Sequence, residues 1–373
     1  MDFIFTKKLR FVAALLFFGA LLVWPTAMVR AVTPTPLPTW AEPMFSSMLP
    51  PDLSAEQRSD LLVQLGALMA NTPRRGFLYE AVRDKQRAYI YGANEWGMSP
   101  SVHLTHLPFT ETVVLSLLES GAVMSVHDER FSPTEQADIE ELGRYTDGKS
   151  LNTLLPEPLF QRYRVQTLRL AKSLNEPVRV KPWFAAVALT AQSLNSQGWF
   201  RNQSAQNLLI TLAYKANKPM VIVETWRQWA QARDNMPEIT QLDWLSNAVQ
   251  DTDTQRQGQR AAELFSIWLN ADATALDHWL NASAHLAQVS APNSWNRYQQ
   301  QELQHTSQRI AAGIEEFLTL PPMAHAPAFV VVPVDDLGGQ QGVLALLKSR
   351  GFTLRDMQGA VAATPPPVQS QRP

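Results

Sequence analysis

Glu95, His127, Glu224, Asp335 and Asp336 each stand just beyond a short apolar run, and their types and placement suit chemistry. The runs begin near Arg87, Ala122, Met220 and Ala328 and are rich in β-branched residues, so they read as buried strands. If these strands share one sheet, their ends bring four carboxylates and one imidazole to a common crevice, where open α/β sheets place their ligands. An imidazole beside carboxylates suits a divalent cation. The competing reading is that the acids are solvated turn residues.

Other constellations carry less. His103 and His106 lie three apart in HLTH, but Leu104, Leu107 and Pro108 make that stretch an ordinary loop before a helix. His278 and His285 are seven apart and could share a helix face, as exposed residues commonly do. No Gly-x-Ser-x-Gly elbow, Walker loop or Gly-x-Gly-x-x-Gly after a strand is found, so serine hydrolysis and nucleotide binding lack support. Trp226, Trp229 and Trp244 fall in helical patterns and read as core, although a glycan-binding groove would use the same residues.

The stretch Ala328 to Gly351 organises the chain. A buried strand, Ala328 to Val332, ends at Pro333; a polar turn with Asp335, Asp336, Gly338 and Gly339 follows. Then comes a helix with Val343, Leu344, Leu346 and Leu347 inward and Gly351 as its stop. Upstream, Phe77 to Val82 and Arg87 to Tyr91 flank the charged turn Arg83 to Gln86 and predict a hairpin. Thr110 to Glu119 predicts a helix, Ala122 to Val126 a strand, and Ser132-Pro133-Thr134-Glu135 a capping box opening a helix towards Gly143. Ser54 with Gln57 is another capping box, before Leu61, Leu62, Leu65 and Leu68. Arg256 to about Leu318 is helical in pattern, with a polar stretch, Gln299 to Gln308, read as a solvated face. Gly92-x-x-Glu95-x-Gly97 and Pro333-x-x-Asp336-x-Gly338 are alike, as a duplicated β-turn unit would be.

These landmarks carry a family likeness. Phe329 to Val332, Leu337, Gly339, Gly342, Leu344, Leu346, Leu347, Gly351 and Phe352 resemble the carboxyl-terminal signature of the TraB/PrgY/GumN family, which includes the TIKI proteases. Gly92 fits the family's first strand signature, and Lys181-Pro182-Trp183 and Lys218 to Thr225 look like further landmarks. The resemblance implies a mixed α/β fold: a central sheet of five or six strands, flanked by helices, with a large helical insertion between Pro133 and Leu318. It also implies a metal-dependent hydrolase whose ion is held by two histidines and a glutamate. Here those positions hold Glu95, His127 and Asp336, the family's glycine before the last motif is Pro333, and its Arg-Asn pair falls at Thr306 and Ser307. One imidazole with two carboxylates remains a reasonable divalent-metal set, and a bound metal would lower the pKa of its water.

At 373 residues and 45% hydrophobic content the chain has ample material for a core. A net charge of −2 gives no reason to invoke nucleic acid. The absence of cysteine excludes disulfides, thiolate metal sites, a cysteine nucleophile and a lipoprotein anchor. Lys7, Lys8 and Arg10 before the apolar stretch Phe11 to Trp24, with Val29-Arg30-Ala31 as a small-residue cleavage site, read as an export signal. An uncleaved anchor is the alternative, since the apolar stretch approaches the roughly 20 residues that span a bilayer. The organisation expected is a signal peptide (1–31), a proline-rich linker (32–53), a TraB/GumN-like domain (54–358) and a disordered tail (359–373).

The sequence thus describes a periplasmic, catalytically silent or altered relative of this family that binds an envelope protein, peptide or glycan. It touches membrane only through its N-terminal segment if that stays uncleaved, and no cofactor is expected. The alternative is a metal-dependent, peptidase-like hydrolase using Glu95, His127 and Asp336 around a divalent metal. A reporter active only outside the cytoplasm, fused after Pro51, is expected to be active; silence in a competent host would refute export.

Overall fold

The computed structural model describes residues 54–56, 59, 76–98, 110–128, 132–170, 179–289 and 294–357. Contacts divide the chain into two compact units, Met1–Thr72 with Pro100–Leu107, and Pro73–Ser99 with Pro108–Pro373. In the first unit, Ala55, Glu56 and Ser59 are helical and exposed. The expected signal peptide, linker, helix from Leu61, HLTH loop and tail lie outside the described residues.

The centre of the second unit is a six-stranded mixed sheet in an α/β architecture that is mostly helical. Strands β1 (Phe77–Arg83) and β2 (Gln86–Ala93) form the expected hairpin, turning at Asp84, whose φ is +55°. A two-residue strand β3 (Gly97–Met98), helix α1 (Glu111–Glu119) and β4 (Ala122–Ser125) come next. The helices α2 (Pro133–Leu142), α3 (Leu151–Leu154), α4 (Glu157–Leu170) and α5 (Pro182–Ser196) follow. The capping box at Ser132 is formed as the sequence predicts, with Glu135 returning to the Ser132 backbone N–H at 3.1 Å.

After α5 the chain alternates briefly: β5 (Trp199–Phe200), α6 (Ala205–Lys215) and β6 (Met220–Ile222). Then α7 (Trp226–Asp234), α8 (Glu238–Asp253), α9 (Arg256–Asn270), α10 (Ala273–Val289) and α11 (Ser294–Phe317) complete the helical part. The end of the fold is β7 (Ala328–Pro333), the one-turn helix α12 (Val334–Leu337), α13 (Val343–Ser349) and β8 (Thr353–Asp356). Asp335 and Asp336 were expected in a polar turn. They lie instead in the first turn of α12, because Pro333, with φ −53°, occupies the N-cap and feeds the chain into helix.

The strand order is β6-β4-β7-β2-β1-β8. β6, β4, β7 and β2 run parallel, while β1 is antiparallel to both β2 and β8. All six residues of β7 are buried, and Val123, Met124, Tyr89 and Ile90 beside it are equally shielded. Covering both faces explains why these strands read as continuous apolar runs rather than alternating ones. Ile310, Ala311, Ile314 and Phe317 of α11 supply the buried face of the last long helix, and Val113, Val114 and Leu117 that of α1. The helical part has its own cores, one built on Leu151, Phe160, Tyr163, Leu189 and Leu245, another on Trp183, Ala230, Met236 and Trp295.

The turn after α12 folds back tightly. A Cβ at Gly342 would sit 1.9 Å from the Gly338 carbonyl oxygen and 2.8 Å from that of Leu337. Both obstacles are backbone and cannot swing aside. Gly342→Ala is therefore expected to destabilise the protein by about 1–3 kcal/mol, read as a lower urea midpoint at unchanged slope; an unaltered midpoint would remove this constraint.

Candidate functional site

Because β2, β4, β6 and β7 run parallel, their carboxyl ends share one edge of the sheet, and the five residues singled out above follow those ends. In the β2–β7 pair Gly92 faces Val332 and Ala93 faces Pro333. Three residues past Gly92 is Glu95 and three past Val332 is Asp335, so in strand register Glu95 is level with Asp335 rather than Asp336. The two similar hexapeptides are offset by one residue.

Glu95 is placed by its neighbours. The buried Asn94 side chain donates to the Trp96 carbonyl at 2.7 Å and accepts from the Ala205 N–H at 3.1 Å, pinning the end of β2 to the start of α6. β3 pairs with β5 through Gly97 opposite Phe200 and Met98 opposite Trp199. That small ladder delivers Arg201 to the same corner, where its guanidinium meets Glu95 at 3.2 Å and lies over the Trp96 and Trp226 rings at 5.6 and 4.9 Å.

His127 and Glu224 are joined by an extension of the β4–β6 ladder. The Val223 N–H donates to the Ser125 carbonyl at 3.0 Å and the Glu224 N–H to the Val126 carbonyl at 2.9 Å. His127 Nδ1 then reaches the Glu224 carbonyl oxygen at 3.0 Å, and its Nε2 lies 3.7 Å from Glu224 Oε2. The ring stacks on Trp226, centroids 4.5 Å apart. Trp226 itself is fixed by the Thr225–Gln228 capping box that opens α7 and by its indole N–H bonded to the Asp128 carbonyl. Glu224 Oε1 accepts from Arg309 Nη1 at 2.8 Å. Arg309 also reaches Thr306 at 3.2 Å and Glu302 at 3.5 Å, and Glu302 meets Arg233 at 3.4 Å.

Asp336 is buried, with Ser307 Oγ 3.4 Å from its Oδ1, long for a hydrogen bond. Burial pushes the Asp336 carboxyl well above the usual carboxylate range, and the nearby Asp335 and Glu95 add to this. Burial pushes Asp335 up to about 6, again with Glu95 contributing. Burial lowers the pKa of His127, against the opposing effect of its bond to the Glu224 carbonyl and of the Glu95 and Glu224 charges. Removing either charge state from water is what makes these shifts run in opposite directions for acid and base.

The five residues therefore occupy one electrostatic neighbourhood, but each turns to a different protein group. Among the described residues no three His, Asp or Glu side chains are disposed to hold a metal ion together. Glu95 faces Arg201, His127 faces Glu224, and Asp336 faces Ser307. His278 is exposed, and the side chain of His285 lies outside the described residues. Trp226 is buried, while Trp229 and Trp244 pack partly buried against the Trp183 core.

Arg201 and Arg309 belong to the site and were not found from sequence; Trp226, read from sequence as core with a glycan groove as the alternative, is buried and borders the site by stacking on His127. Thr225-x-x-Gln228 is a capping signature that would have marked the helix presenting Trp226. Nothing local announces Arg201 or Arg309, whose partners are 106 and 85 residues away.

The raised Asp335 gives the fold a pH dependence. Between its unfolded pKa, about 4, and about 6 the folded chain holds a proton that the unfolded chain has lost. Stability contributed by Asp335 thus falls as pH rises through that window. Asp335→Asn is expected to flatten the decline in urea midpoint between pH 4 and 6 and to be relatively more stable above pH 6. Parallel profiles for the two proteins would contradict it.

No curated protein and no solved structure gives a match to the chain. A family match covers residues 111–356, which takes in His127, Glu224, Asp335 and Asp336 and leaves Glu95 before its start. Since that span is more than half of the 373 residues and includes the parallel strands β4, β6 and β7 whose ends build the crevice, the chain belongs to the TraB/PrgY/gumN family.

Proposed function

We propose that this protein is an exported, non-hydrolytic member of its family that uses the crevice at the strand ends to bind a partner of the cell envelope. The observation that carries the reading is the pattern of internal pairing. Glu95 with Arg201 at 3.2 Å, Glu224 with Arg309 at 2.8 Å and Asp336 beside Ser307 at 3.4 Å divide the acids among protein groups. A catalytic metal needs three ligands converging on one point at about 2.0–2.2 Å with an open position for water. Glu95 would have to break its charge-assisted bond to Arg201 to converge with the others, and such bonds are roughly twice as strong as neutral ones. Export rests on the basic and apolar N-terminal segments and the proline-rich stretch after them.

One observation favours the second reading, a metal-dependent hydrolase using Glu95, His127 and Asp336. Asp335 and Asp336 are carboxyl groups held partly protonated by burial beside a further acid, and an entering cation would displace those protons. Elemental analysis of protein purified without chelators separates the two. The expected result is no stoichiometric transition metal in either the native chain or His127→Ala. About one metal per chain, lost in the variant, would overturn the binding-protein reading.

A further inference from the structure

A cleft of about 240 Å³ opens between β1, α10, α12 and α13, and none of the five strand-end residues lines it. Alternation along β1 puts Phe77 and Tyr79 on one face of the sheet, and both form its wall. Phe77, Leu276 and Leu337 are buried and make the floor, Leu344 is half-buried, and Ala273 and Asp277 stand exposed at the mouth. A Cβ at Gly338 would come within 2.9 Å of Leu276 Cδ2, so this glycine lets the turn after α12 close on α10. The same turn fixes Asp277, whose Oδ1 accepts from the Gly339 N–H at 2.9 Å. Among the described residues that N–H is the only donor to Asp277, which leaves its second carboxylate oxygen for a ligand.

We propose that this cleft binds a small organic cation: an ammonium group on a short arm that carries one aromatic ring. The volume equals roughly eight water molecules at liquid density, room for a ring and a two-carbon arm. Apolar walls with a single placed polar group are the usual make-up of a small-molecule site. Here the ring is taken up by the buried floor and by the Phe77 and Tyr79 rings beside it, and the ammonium by Asp277 in a charge-assisted bond. The sign of the charge selects a cation. Asp277 is the one charged residue lining the cleft. Asp356 stands opposite Tyr79 in the β1–β8 ladder and so lies on the same face of the sheet. Arg355, opposite Glu80, is turned to the other face, where it pairs with Glu80 at 2.8 Å.

Four small probes separate the contributions: phenethylammonium (ring and charge), 2-phenylethanol (ring, no charge), phenylacetate (ring, opposite charge) and methylammonium (charge, no ring). In the full chain labelled with ¹⁵N-glycine, phenethylammonium is expected to move the Gly338 and Gly339 amide resonances saturably and to leave Gly143, at the end of α2, unmoved. The alcohol is expected to bind about fivefold more weakly, the loss that a partly solvated ion pair gives, and phenylacetate and methylammonium to give no saturable shift. Asp277→Asn keeps an acceptor for the Gly339 N–H and is expected to lower phenethylammonium affinity to that of the alcohol, whose own affinity is unchanged. Ala273→Phe, at an exposed position, is expected to block both at an unaltered urea midpoint. Equal affinity for amine and alcohol in the native chain, an Asn variant that binds the amine as the native chain does, saturable binding of phenylacetate, or no shift at the two glycines would overturn the proposal.

Discussion

Strand β7 is paired on both sides in parallel, with β2 through Ala88–Ala93 and with β4 through Ala122–Ser125, and every one of its residues is buried. This double pairing is the constraint on which the rest of the molecule depends. A strand enclosed in this way cannot slip by one residue without exchanging the faces of its side chains and unmaking two ladders at once. Its direction and register then fix where the chain leaves the sheet. Since β2, β4 and β6 share that direction, four chain exits lie along one edge, and residues between 95 and 336 come together there without any local attraction between them.

What happens at that edge is governed by desolvation. Glu224 is the most constrained of the acids: its carbonyl holds the His127 ring, one carboxylate oxygen is bound by Arg309, and the other faces His127 Nε2. Arg309 is anchored in turn by Glu302, which meets Arg233, whose guanidinium rests over Trp229 at 4.6 Å. The chain of charges leads from a buried position to an exposed one, Arg309 being 45% exposed and Glu224 7%. Asp336 is buried beside Ser307 Oγ at 3.4 Å, and burial, with the nearby Asp335 and Glu95, raises its pKa against the opposing effect of Ser307 and Arg309.

Sequence reading reached the scaffold further than the site, for a physical reason. The Phe77–Arg83 and Gln86–Ala93 hairpin, the Ser132–Glu135 capping box and the Ala328 strand are specified by neighbours a few residues apart, and such signals survive in one dimension. The sheet edge that collects Glu95, His127, Glu224, Asp335 and Asp336 followed from strand direction. In the polar stretch Gln299 to Gln308 most of the described side chains are exposed, as its composition indicated, but Ser307 within it is buried against Asp336. Two-residue strands such as β3 and β5 leave no periodicity to detect, yet their pairing is what carries Arg201 to Glu95. Partners for buried charge are chosen in three dimensions, and composition does not record the choice.

Pro333, Asp335 and Asp336 at the end of β7 are linked to one another through the backbone. Pro333 faces Ala93 and has no N–H to offer the ladder, so the β2–β7 pairing stops there. Its φ of −53° and ψ of 138° hand the chain to α12, with Asp335 and Asp336 both in the first turn. Their carboxyl groups are held by backbone hydrogen bonds and by Ser307, which partly oppose the effect of burial. A glycine at 333 would leave the turn free to take other paths, whereas proline commits it before any side chain contributes. The acid at 336 and the proline at 333 therefore act together: the proline sets the helical turn, the turn buries the acid, and burial raises its pKa.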